Sequence, residues 1–275
     1  MLKDIKDIGG DIKEYLDPLL INNIDQAVDL MKHDWDIVIL MDGMPGAGKS
    51  TFAMQIARYV DPNFNIDNIC FFPEEFMYTA NFKLKRYSAI IFDEAYRGLS
   101  KQNIRSYETI KVLTHFQECR QNNHFIILVS NYFNDLARPV ATYRSRALIN
   151  VFALPRPLGN GKYRLERGYY GYVTQKKKAA LYNDKYVKES GLYAHQIPKY
   201  VEYKGRFKAI SVLPKELYEM KKRQSLQLYE NINNYKSKFK NNYKNDREFV
   251  WGNVMDIIKE QAEETRNKPS MPKII

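Results

Sequence analysis

Eight consecutive residues restrict the fold of this chain more than any other part of its sequence. They match the pattern G-x-x-x-x-G-K-[ST] at every defined position and run Gly43-Met44-Pro45-Gly46-Ala47-Gly48-Lys49-Ser50. In this pattern a glycine-rich turn brings backbone N–H groups close to phosphate oxygens, and the following helix directs its positive end at the same anion. We therefore expect these eight residues, with Thr51, to bind the phosphates of a nucleotide.

Two side chains of the loop have separate predicted tasks. The ammonium group of Lys49 would reach the β- and γ-phosphates and act in catalysis, and the hydroxyl of Ser50 would bind a magnesium ion. The pattern therefore predicts ATP and Mg²⁺ as the cofactors of this chain.

The flanking sequence supplies the strand and the helix that such a loop needs. Residues 37–41 form a short apolar run rich in β-branched side chains, which is typical of a buried parallel strand. Residues 50–59 carry apolar side chains at helical spacing, and Asp61-Pro62 follows as a helix breaker. The loop is thus predicted to connect a buried strand to a helix.

Four further apolar runs predict strands, at residues 69–72, 89–92, 125–129 and 147–152. Helical spacing is found between them, from residue 73 to about 82 and over residues 102–121. Strands that alternate with helices predict an α/β fold with a mostly parallel sheet. Together with the phosphate loop, this pattern predicts the three-layer sandwich of P-loop nucleoside triphosphatases.

Two acidic residues, Asp93 and Glu94, directly follow the strand predicted at residues 89–92. Ligands bind at the carboxyl edge of a parallel sheet, so we expect this pair to lie beside the phosphate loop. The pair resembles the Walker B motif of P-loop ATPases, which implies that Asp93 joins Ser50 in binding Mg²⁺ and that Glu94 is the general base. An Asp-Glu pair after a strand is also a common helix N-cap, and the loop is what favours the catalytic interpretation.

The strand predicted at residues 125–129 ends in Ser130-Asn131. Here the chain resembles the ATPases that insert an extra strand between the loop strand and the Walker B strand, which include AAA+ proteins, RecA-like motors and packaging motors. The resemblance implies that Asn131 contacts the γ-phosphate or the attacking water, with Ser130 as the second choice. The alternative is an ordinary Asx turn at the end of a strand.

The same resemblance implies an arginine that a neighbouring subunit supplies to the transition state. Arg144 and Arg146 are the favoured candidates because they follow the predicted sensor strand at the AAA+ spacing, and for any one of them a surface ion pair is the competing interpretation. Three other arginines are weaker candidates, namely Arg105, Arg120 and Arg138.

The resemblance covers residues 37–152 and is strongest to the DNA-motor ATPases. These include the FtsK–HerA group, its zonula-occludens-toxin-like relatives and viral DNA-packaging ATPases, with some AAA+-like features. It implies an ATPase encoded by a virus or another mobile element, acting as a homo-oligomer that can be a ring. The sequence departs from AAA+ proteins in lacking a recognisable helical lid after residue 155, and from assembly-type relatives in lacking a membrane helix.

Composition indicates the cellular compartment in which the chain acts. No apolar run reaches the ~18 residues of a membrane span, and the first residues lack the apolar core of a signal peptide. Its two cysteines, Cys70 and Cys119, are far apart in sequence, which favours buried reduced thiols over a disulfide framework. We therefore expect a cytoplasmic protein, in the host cytoplasm if it is viral.

Charge is divided unevenly along the chain. Residues 1–150 carry 17 Lys and Arg against 19 Asp and Glu, whereas residues 151–275 carry 26 against 13. The composition changes beyond Pro155-Arg156-Pro157, and we predict an N-terminal helical segment at 1–34, a nucleotide-binding core at 35–155 and a basic, mainly helical region at 156–275. In this last region a hairpin turn is expected at residues 159–161 and helices at about 215–235 and 247–264. Basic clusters at residues 176–178, 221–223 and 236–240, together with 13 of the 21 tyrosines, predict that this region binds DNA. The alternative is a solvated lysine-rich surface with ordinary tyrosine packing.

Three functions follow from these features. The first is an Mg²⁺-dependent ATPase that couples hydrolysis to translocation, packaging or transfer of DNA. The second is an ATP-dependent DNA-binding switch or scaffold, like the AAA+ regulators of replication or transposition, with little hydrolysis. The third is a nucleoside or nucleotide kinase, against which the Asp93-Glu94 pair argues.

Overall fold

The computed structural model describes residues 16–208 and 210–238. They divide into two compact units, with the division between Met220 and Lys221. The second unit is represented by the later part of a single helix. Every residue predicted above to bind nucleotide or metal lies in the first unit.

One sheet of seven strands organises the first unit. Its strands are β1 (Ile37–Gly43), β2 (Ile69–Cys70), β3 (Ala89–Phe92), β4 (Phe125–Val129), β5 (Ala147–Gly159), β6 (Lys162–Thr174) and β7 (Tyr203–Arg206). They lie in the order β2-β3-β4-β1-β5-β6-β7. The first five pair in parallel, whereas β6 and β7 are antiparallel additions to one edge. The predicted α/β fold with a mostly parallel sheet is confirmed.

Strand β4 lies between β1 and β3, pairing in parallel with both. The extra strand that the motifs imply, between the loop strand and the Walker B strand, is therefore present. All seven residues of β1 are buried, as are all five of β4. Strands covered on both faces lack polar alternation, which is why they read as continuous apolar runs in the sequence.

Helices cover both faces of this sheet. They are α1 (Pro18–Met31), α2 (Lys49–Val60), α3 (Pro73–Tyr78), α4 (Tyr96–Leu99), α5 (Tyr107–Glu118), α6 (Gln175–Asn183) and α7 (Lys185–Ser190). Helix α8 (Lys215–Lys238) begins in the first unit and continues into the second. Alternate strand residues such as Leu40 and Leu128 share one core with Phe76 of α3 and Phe116 of α5. The intervening residues are equally buried on the opposite face, where α2 packs on β3 and β4.

The N-terminal helical segment is described only from residue 16 onward. Helix α1 begins after Asp17, whose side chain accepts a hydrogen bond from the backbone N–H of Leu19 at 2.9 Å, with Pro18 in its first turn. Leu20, Ile24, Val28 and Met31 form its buried face.

The basic half of the chain begins inside the sheet. The boundary drawn between residues 155 and 156 falls within β5, which pairs with β6 as far as the Gly159–Lys162 turn. The hairpin predicted at residues 159–161 is present. Residues 147–151 of β5 pair with β1 and residues 169–172 of β6 pair with β7, so the part of the hairpin far from its turn extends the sheet. Residues 153–166 project beyond the neighbouring strands, and we call them the arm.

Some predicted helices differ from the observed elements. The helix expected over residues 102–121 begins at Tyr107, and α6, α7 and β7 have no counterpart among the predicted elements. A helix predicted near residues 247–264 lies outside the described residues. Among the helices that are described, none combines the length and apolarity that crossing a membrane requires.

Candidate nucleotide-binding site

The phosphate-binding loop leaves the carboxyl end of β1 and enters α2 at Lys49. Its glycines adopt positive φ angles of 143° at Gly43, 77° at Gly46 and 104° at Gly48, which side chains rarely tolerate. A β carbon on Gly43 would lie 2.0 Å from the carbonyl oxygen of Val151 on β5. Glycine is therefore required at this position both by conformation and by the closeness of the neighbouring strand.

The rest of the loop closes as a tight turn. The backbone N–H of Ala47 donates to the carbonyl oxygen of Met44 at 3.1 Å, and Ala47 is buried while the Met44 side chain is exposed. Pro45 lies between them at the exposed crown of the turn, and Thr51 follows in the first turn of α2.

Lys49 is buried and is held by three oxygen atoms. Its ammonium nitrogen donates to the carbonyl oxygens of Gly43 at 2.7 Å and Met44 at 3.2 Å, and to the side-chain oxygen of Asn131 at 3.0 Å. Three acceptors match the three hydrogens of an ammonium group. The loop lysine and the residue expected to sense phosphate are thus in direct contact.

Asn131 reaches the loop because β4 continues alongside β1. The backbone N–H of Gly43 donates to the carbonyl oxygen of Asn131, and that of Ser130 donates to Met41. Ser130 is buried, and its hydroxyl donates to the carbonyl oxygen of Tyr132 at 3.4 Å, within its own turn. Of the two candidates at this strand end, Asn131 is therefore the one that touches the loop lysine.

Ser50 and Asp93, the two predicted metal ligands, are hydrogen-bonded to each other. The Ser50 hydroxyl donates to Asp93 Oδ2 at 2.8 Å, and Asp93 Oδ1 accepts from the backbone N–H of Glu94 at 3.0 Å. A hydroxyl and a carboxylate are hard oxygen donors of the kind that Mg²⁺ prefers. Magnesium therefore fits the chemistry of this pair.

Glu94 occupies an unusual backbone position at the end of β3. Its φ angle of 59° lies in the left-handed region, which is uncommon for a residue with a side chain. The next residue, Ala95, donates its N–H to the carbonyl oxygen of Val129, the last residue of β4. This turn therefore holds Glu94 between the ends of the Walker B strand and the strand that leads to Asn131.

Tyr218, in the first turn of α8, completes the surroundings of Asp93. Its hydroxyl donates to Asp93 Oδ2 at 2.5 Å, the same oxygen that accepts from Ser50. Its ring lies 6.0 Å from that of Phe71. Burial and the neighbouring Asp93 charge raise the pKa of Tyr218 well above its usual range, so the phenol remains a hydrogen-bond donor. The sequence predicts a helix here but carries no signal that its first turn returns to the sheet.

A buried polar chain lies behind the loop. Asp42, the last residue before the glycine turn, accepts from Asn150 Nδ2 at 2.7 Å and from the backbone N–H of Phe133 at 3.1 Å. Since the Asn150 amide nitrogen faces Asp42, its oxygen accepts from the backbone and the ring Nδ1 of His195. Burial raises the pKa of Asp42 to about 7 and lowers that of His195 to about 4.

The favoured arginines lie at the opposite edge of the sheet. Arg144 forms an ion pair with Asp36, which precedes β1, and its Nε donates to the carbonyl oxygen of Phe116 at 2.8 Å. Arg146 precedes β5 and lies over the Trp35 ring at 6.0 Å. The structure does not bring either guanidinium to the loop of its own chain. Of the weaker candidates, Arg105 and Arg138 are exposed, and the Arg120 side chain is not among those described.

Some lysine and tyrosine side chains of the basic C-terminal half are buried in the core. Lys178, in the first basic cluster, is fully buried with its ammonium on the hydroxyl and carbonyl of Ser145, and its pKa is lowered to about 7 by burial. Tyr170 is also buried and its ring packs 5.1 Å from Phe52. These residues face the core, so they are not part of a nucleic-acid surface.

The order of the strands and the glycine loop after β1 are those of the P-loop nucleoside triphosphatase fold, with an additional strand, β4, between β1 and β3. The chain is similar to the N-terminal domain of zonular occludens toxin from Neisseria meningitidis, with 13% identity, a TM-score of 0.39 and coverage of 67% of this chain and 98% of that one. It is also similar to the genome packaging NTPase of Sulfolobus turreted icosahedral virus 2 in complex with ATP-gammaS, with 12% identity, a TM-score of 0.33 and coverage of 52% and 94%.

No protein-family model matches the sequence, and no curated protein does. The TM-scores of both structures lie below 0.5, and no function is transferred from them to this chain.

Proposed function

We propose that this chain is an Mg²⁺-dependent ATPase that couples hydrolysis to work on DNA. The observation that carries the proposal is the meeting of four polar side chains at one edge of the sheet. Lys49 touches Asn131, and Ser50 touches Asp93, although these partners are far apart in sequence. A phosphate loop, a hydroxyl–carboxylate pair and a strand-end amide are the parts that phosphoryl transfer to water requires.

In this mechanism Glu94 orients a water molecule for in-line attack on the γ-phosphorus and accepts its proton. The bond from the γ-phosphorus to the bridging oxygen breaks, and ADP leaves with the electron pair. Lys49 stabilises the negative charge that builds up on the phosphates, and Asn131 fixes the position of the γ-phosphate or the water. Ser50 and Asp93 would hold Mg²⁺, which when bound supplies positive charge to the phosphate oxygens.

For the DNA contact, the arm is the favoured surface within the described residues. Lys162 and Arg164 are exposed there, and neither is paired with a described carboxylate. Tyr163 between them is 68% exposed, so its ring is available for stacking on a base. The arm therefore combines unpaired positive charge with an exposed aromatic ring, and residues beyond 238 add further basic sequence.

The resemblance of the motifs to DNA-motor ATPases supports a viral or mobile-element origin, a cytoplasmic site of action and assembly into a homo-oligomer. In such an assembly Arg144 or Arg146 would act on the nucleotide of a neighbouring subunit. For Arg144 this requires exchange of the Asp36 ion pair for the phosphates of that nucleotide.

The contact of Tyr218 with Asp93 favours a second candidate function. A phenol on the metal-binding carboxylate competes with Mg²⁺, which suits an ATP-dependent DNA-binding switch that turns over slowly. The test is the ATPase rate with and without DNA, combined with the oligomer mass with and without a non-hydrolysable ATP analogue. Severalfold stimulation by DNA supports the motor, and ATP-dependent oligomers with negligible turnover support the switch.

The DNA contact has its own test in the full-length chain. The double variant Lys162→Gln/Arg164→Gln should weaken DNA binding and flatten its dependence on salt, since each lost phosphate contact lowers the slope of log K against log salt by about 0.9. The control Lys185→Gln/Lys188→Gln removes the same charge from α7. Equal loss in both double variants would mean that net charge, and not the arm, attracts DNA.

A further inference from the structure

Arg167, at the base of the arm, lies beside the phosphate-binding loop. Its guanidinium nitrogen Nη2 is 3.8 Å from the point that a β carbon on Gly46 would occupy. Gly46 forms the middle of the glycine turn, where backbone N–H groups face phosphate in loops of this pattern. A permanent positive charge is therefore placed at the edge of an anion-binding turn.

The backbone around Arg167 is fixed relative to the loop. The next residue, Gly168, has a φ angle of 96°, and a β carbon there would lie 2.5 Å from the carbonyl oxygen of Phe207. The N–H of Phe207 donates to Gly168 at 2.9 Å. The Phe207 ring stacks on the Phe52 ring of α2, with 4.0 Å between their centroids. It also lies against the loop, since a β carbon added to Gly48 would be 3.5 Å from the Phe207 ring.

These contacts join the strand that carries Arg167 to the helix and the loop that would bind phosphate. The irregular pairing of β5 and β6 between Phe152 and Leu154 falls at the same level. An interruption of this kind in an antiparallel pair redirects the side chains beside it. The fold thus places the backbone of Arg167 beside the loop, within reach of Gly46.

The charge of Arg167 has no partner among the residues that the structure describes. The neighbouring carboxylate, Glu166, is engaged by two other arginines, forming ion pairs with Arg156 and with Arg206. Arg167 itself is exposed and forms neither an ion pair nor a hydrogen bond within the described part of the chain. An exposed guanidinium next to a phosphate-binding turn is suited to binding phosphate oxygens, which it can contact through two N–H groups.

We propose that Arg167 binds the terminal phosphates of the nucleotide held by the loop, as an arginine supplied by the same chain. This inference rests on the proposed function, because it requires a nucleoside triphosphate at the loop. Arg167 would contact the phosphates as an arginine from a neighbouring subunit is expected to do, but it comes from the base of the arm of the same chain. Arg167 would add positive charge where Lys49 already faces the phosphates, and it would distinguish ATP from ADP.

The test is the affinity of the full-length chain for a non-hydrolysable ATP analogue and for ADP, measured by titration calorimetry. Arg167→Gln should weaken analogue binding by about tenfold, as expected for one charge-assisted contact, with a smaller loss for ADP. Arg167→Lys should lie between Arg167→Gln and the wild type. The matched control is Arg86→Gln, which removes an exposed arginine at the amino ends of the strands, where it pairs with Asp34, and should leave both affinities unchanged.

Two outcomes separate this inference from the proposed function. If the wild type binds the analogue and Arg167→Gln binds it equally well, the role of Arg167 is wrong while the nucleotide site stands. If the wild type does not bind the analogue, or binds it no better than Lys49→Ala, the proposed function fails and the inference fails with it. Equal melting temperatures of wild type and Arg167→Gln would exclude a folding defect as the cause of weaker binding.

Discussion

The ammonium group of Lys49 donates to the side-chain oxygen of Asn131 across 3.0 Å. This single hydrogen bond joins the start of α2 to the end of β4, two places that 82 residues of sequence separate. It forms because β4 is inserted next to β1, so that the carboxyl ends of both strands meet at the loop. Any phosphate that draws Lys49 away from its present acceptors also changes the surroundings of Asn131.

Replacement of Asn131 is expected to affect turnover more than binding. Asn131→Ala should lower kcat on the order of 100-fold, the usual cost of removing one polar group that acts in the transition state, while the affinity for ATP changes little. Ser130→Ala is the matched control, since the Ser130 hydroxyl faces its own turn. Steady-state kinetics and nucleotide titration measure both effects. A larger loss in Ser130→Ala would assign the sensor role to Ser130.

Removal of the Tyr218 hydroxyl is expected to strengthen Mg²⁺ binding. Asp93 Oδ2 accepts hydrogen bonds from both Ser50 and Tyr218, and a metal ion must compete with these donors. Tyr218→Phe removes one competitor, so the affinity for Mg²⁺ in the presence of ATP analogue should rise roughly fivefold, from about 1 kcal/mol for a net hydrogen bond. Tyr186→Phe, at an exposed position on α7, is the control. Weaker Mg²⁺ binding in Tyr218→Phe would show that the phenol helps to hold the metal.

The close approach of β5 to the loop predicts a large stability loss for Gly43→Ala. A β carbon there would meet the Val151 carbonyl oxygen at 2.0 Å in addition to straining a φ angle of 143°. Urea denaturation should give a loss of about 3 kcal/mol or more. Gly159→Ala provides the control, because φ is also positive but no atom lies within 4 Å, and it should cost only about 1 kcal/mol. Equal losses would exclude the close approach as the reason for glycine at position 43.

Asp42 predicts a specific dependence of stability on pH. Because burial raises its pKa to about 7 in the folded chain, the protonated form contributes stability that is present below about pH 4 and is lost as pH rises through 7. His195, with a lowered pKa of about 4, contributes in the opposite direction. The quantity to measure is therefore the difference in unfolding free energy between wild type and Asp42→Asn, in which His195 is common to both.

This difference should fall as pH rises from 4 to 7 and become constant above that range. Urea denaturation at a series of pH values measures it directly. A difference that stays constant or rises over the same range would mean that Asp42 is ionised throughout, stabilised by Asn150 and the backbone N–H of Phe133.

Much of the nucleotide site could be predicted from the sequence because its parts follow strands that are buried on both faces. The runs that became β1, β3 and β4 are continuously apolar, so their ends, and the polar residues after them, are visible without a structure. The rule that parallel strands present their carboxyl ends at one edge then brings Lys49, Asp93 and Asn131 together.

The remaining contacts depend on chain segments that approach from far away in sequence. Tyr218 and Arg167 reach the site through a helix start and a strand irregularity, neither of which has a local sequence pattern. The domain boundary predicted after residue 155 rests on the change in composition at Pro155-Arg156-Pro157, but composition does not report where the sheet ends. A truncation at that point would cut through β5 and remove β6 and β7. The burial of Lys178 could not be predicted either, because a lysine within a basic cluster is normally expected to be exposed.

ATP binding and ATP hydrolysis by Glu94→Gln in the presence of Mg²⁺ decide whether Glu94 is the general base of an ATPase. The substitution keeps the size and polarity of the side chain but removes its ability to accept a proton. We expect the variant to bind ATP as tightly as wild type and to have lost hydrolysis, whereas Lys49→Ala should have lost both. Hydrolysis by Glu94→Gln at the wild-type rate would show that Glu94 is not the base and that the proposed mechanism is wrong.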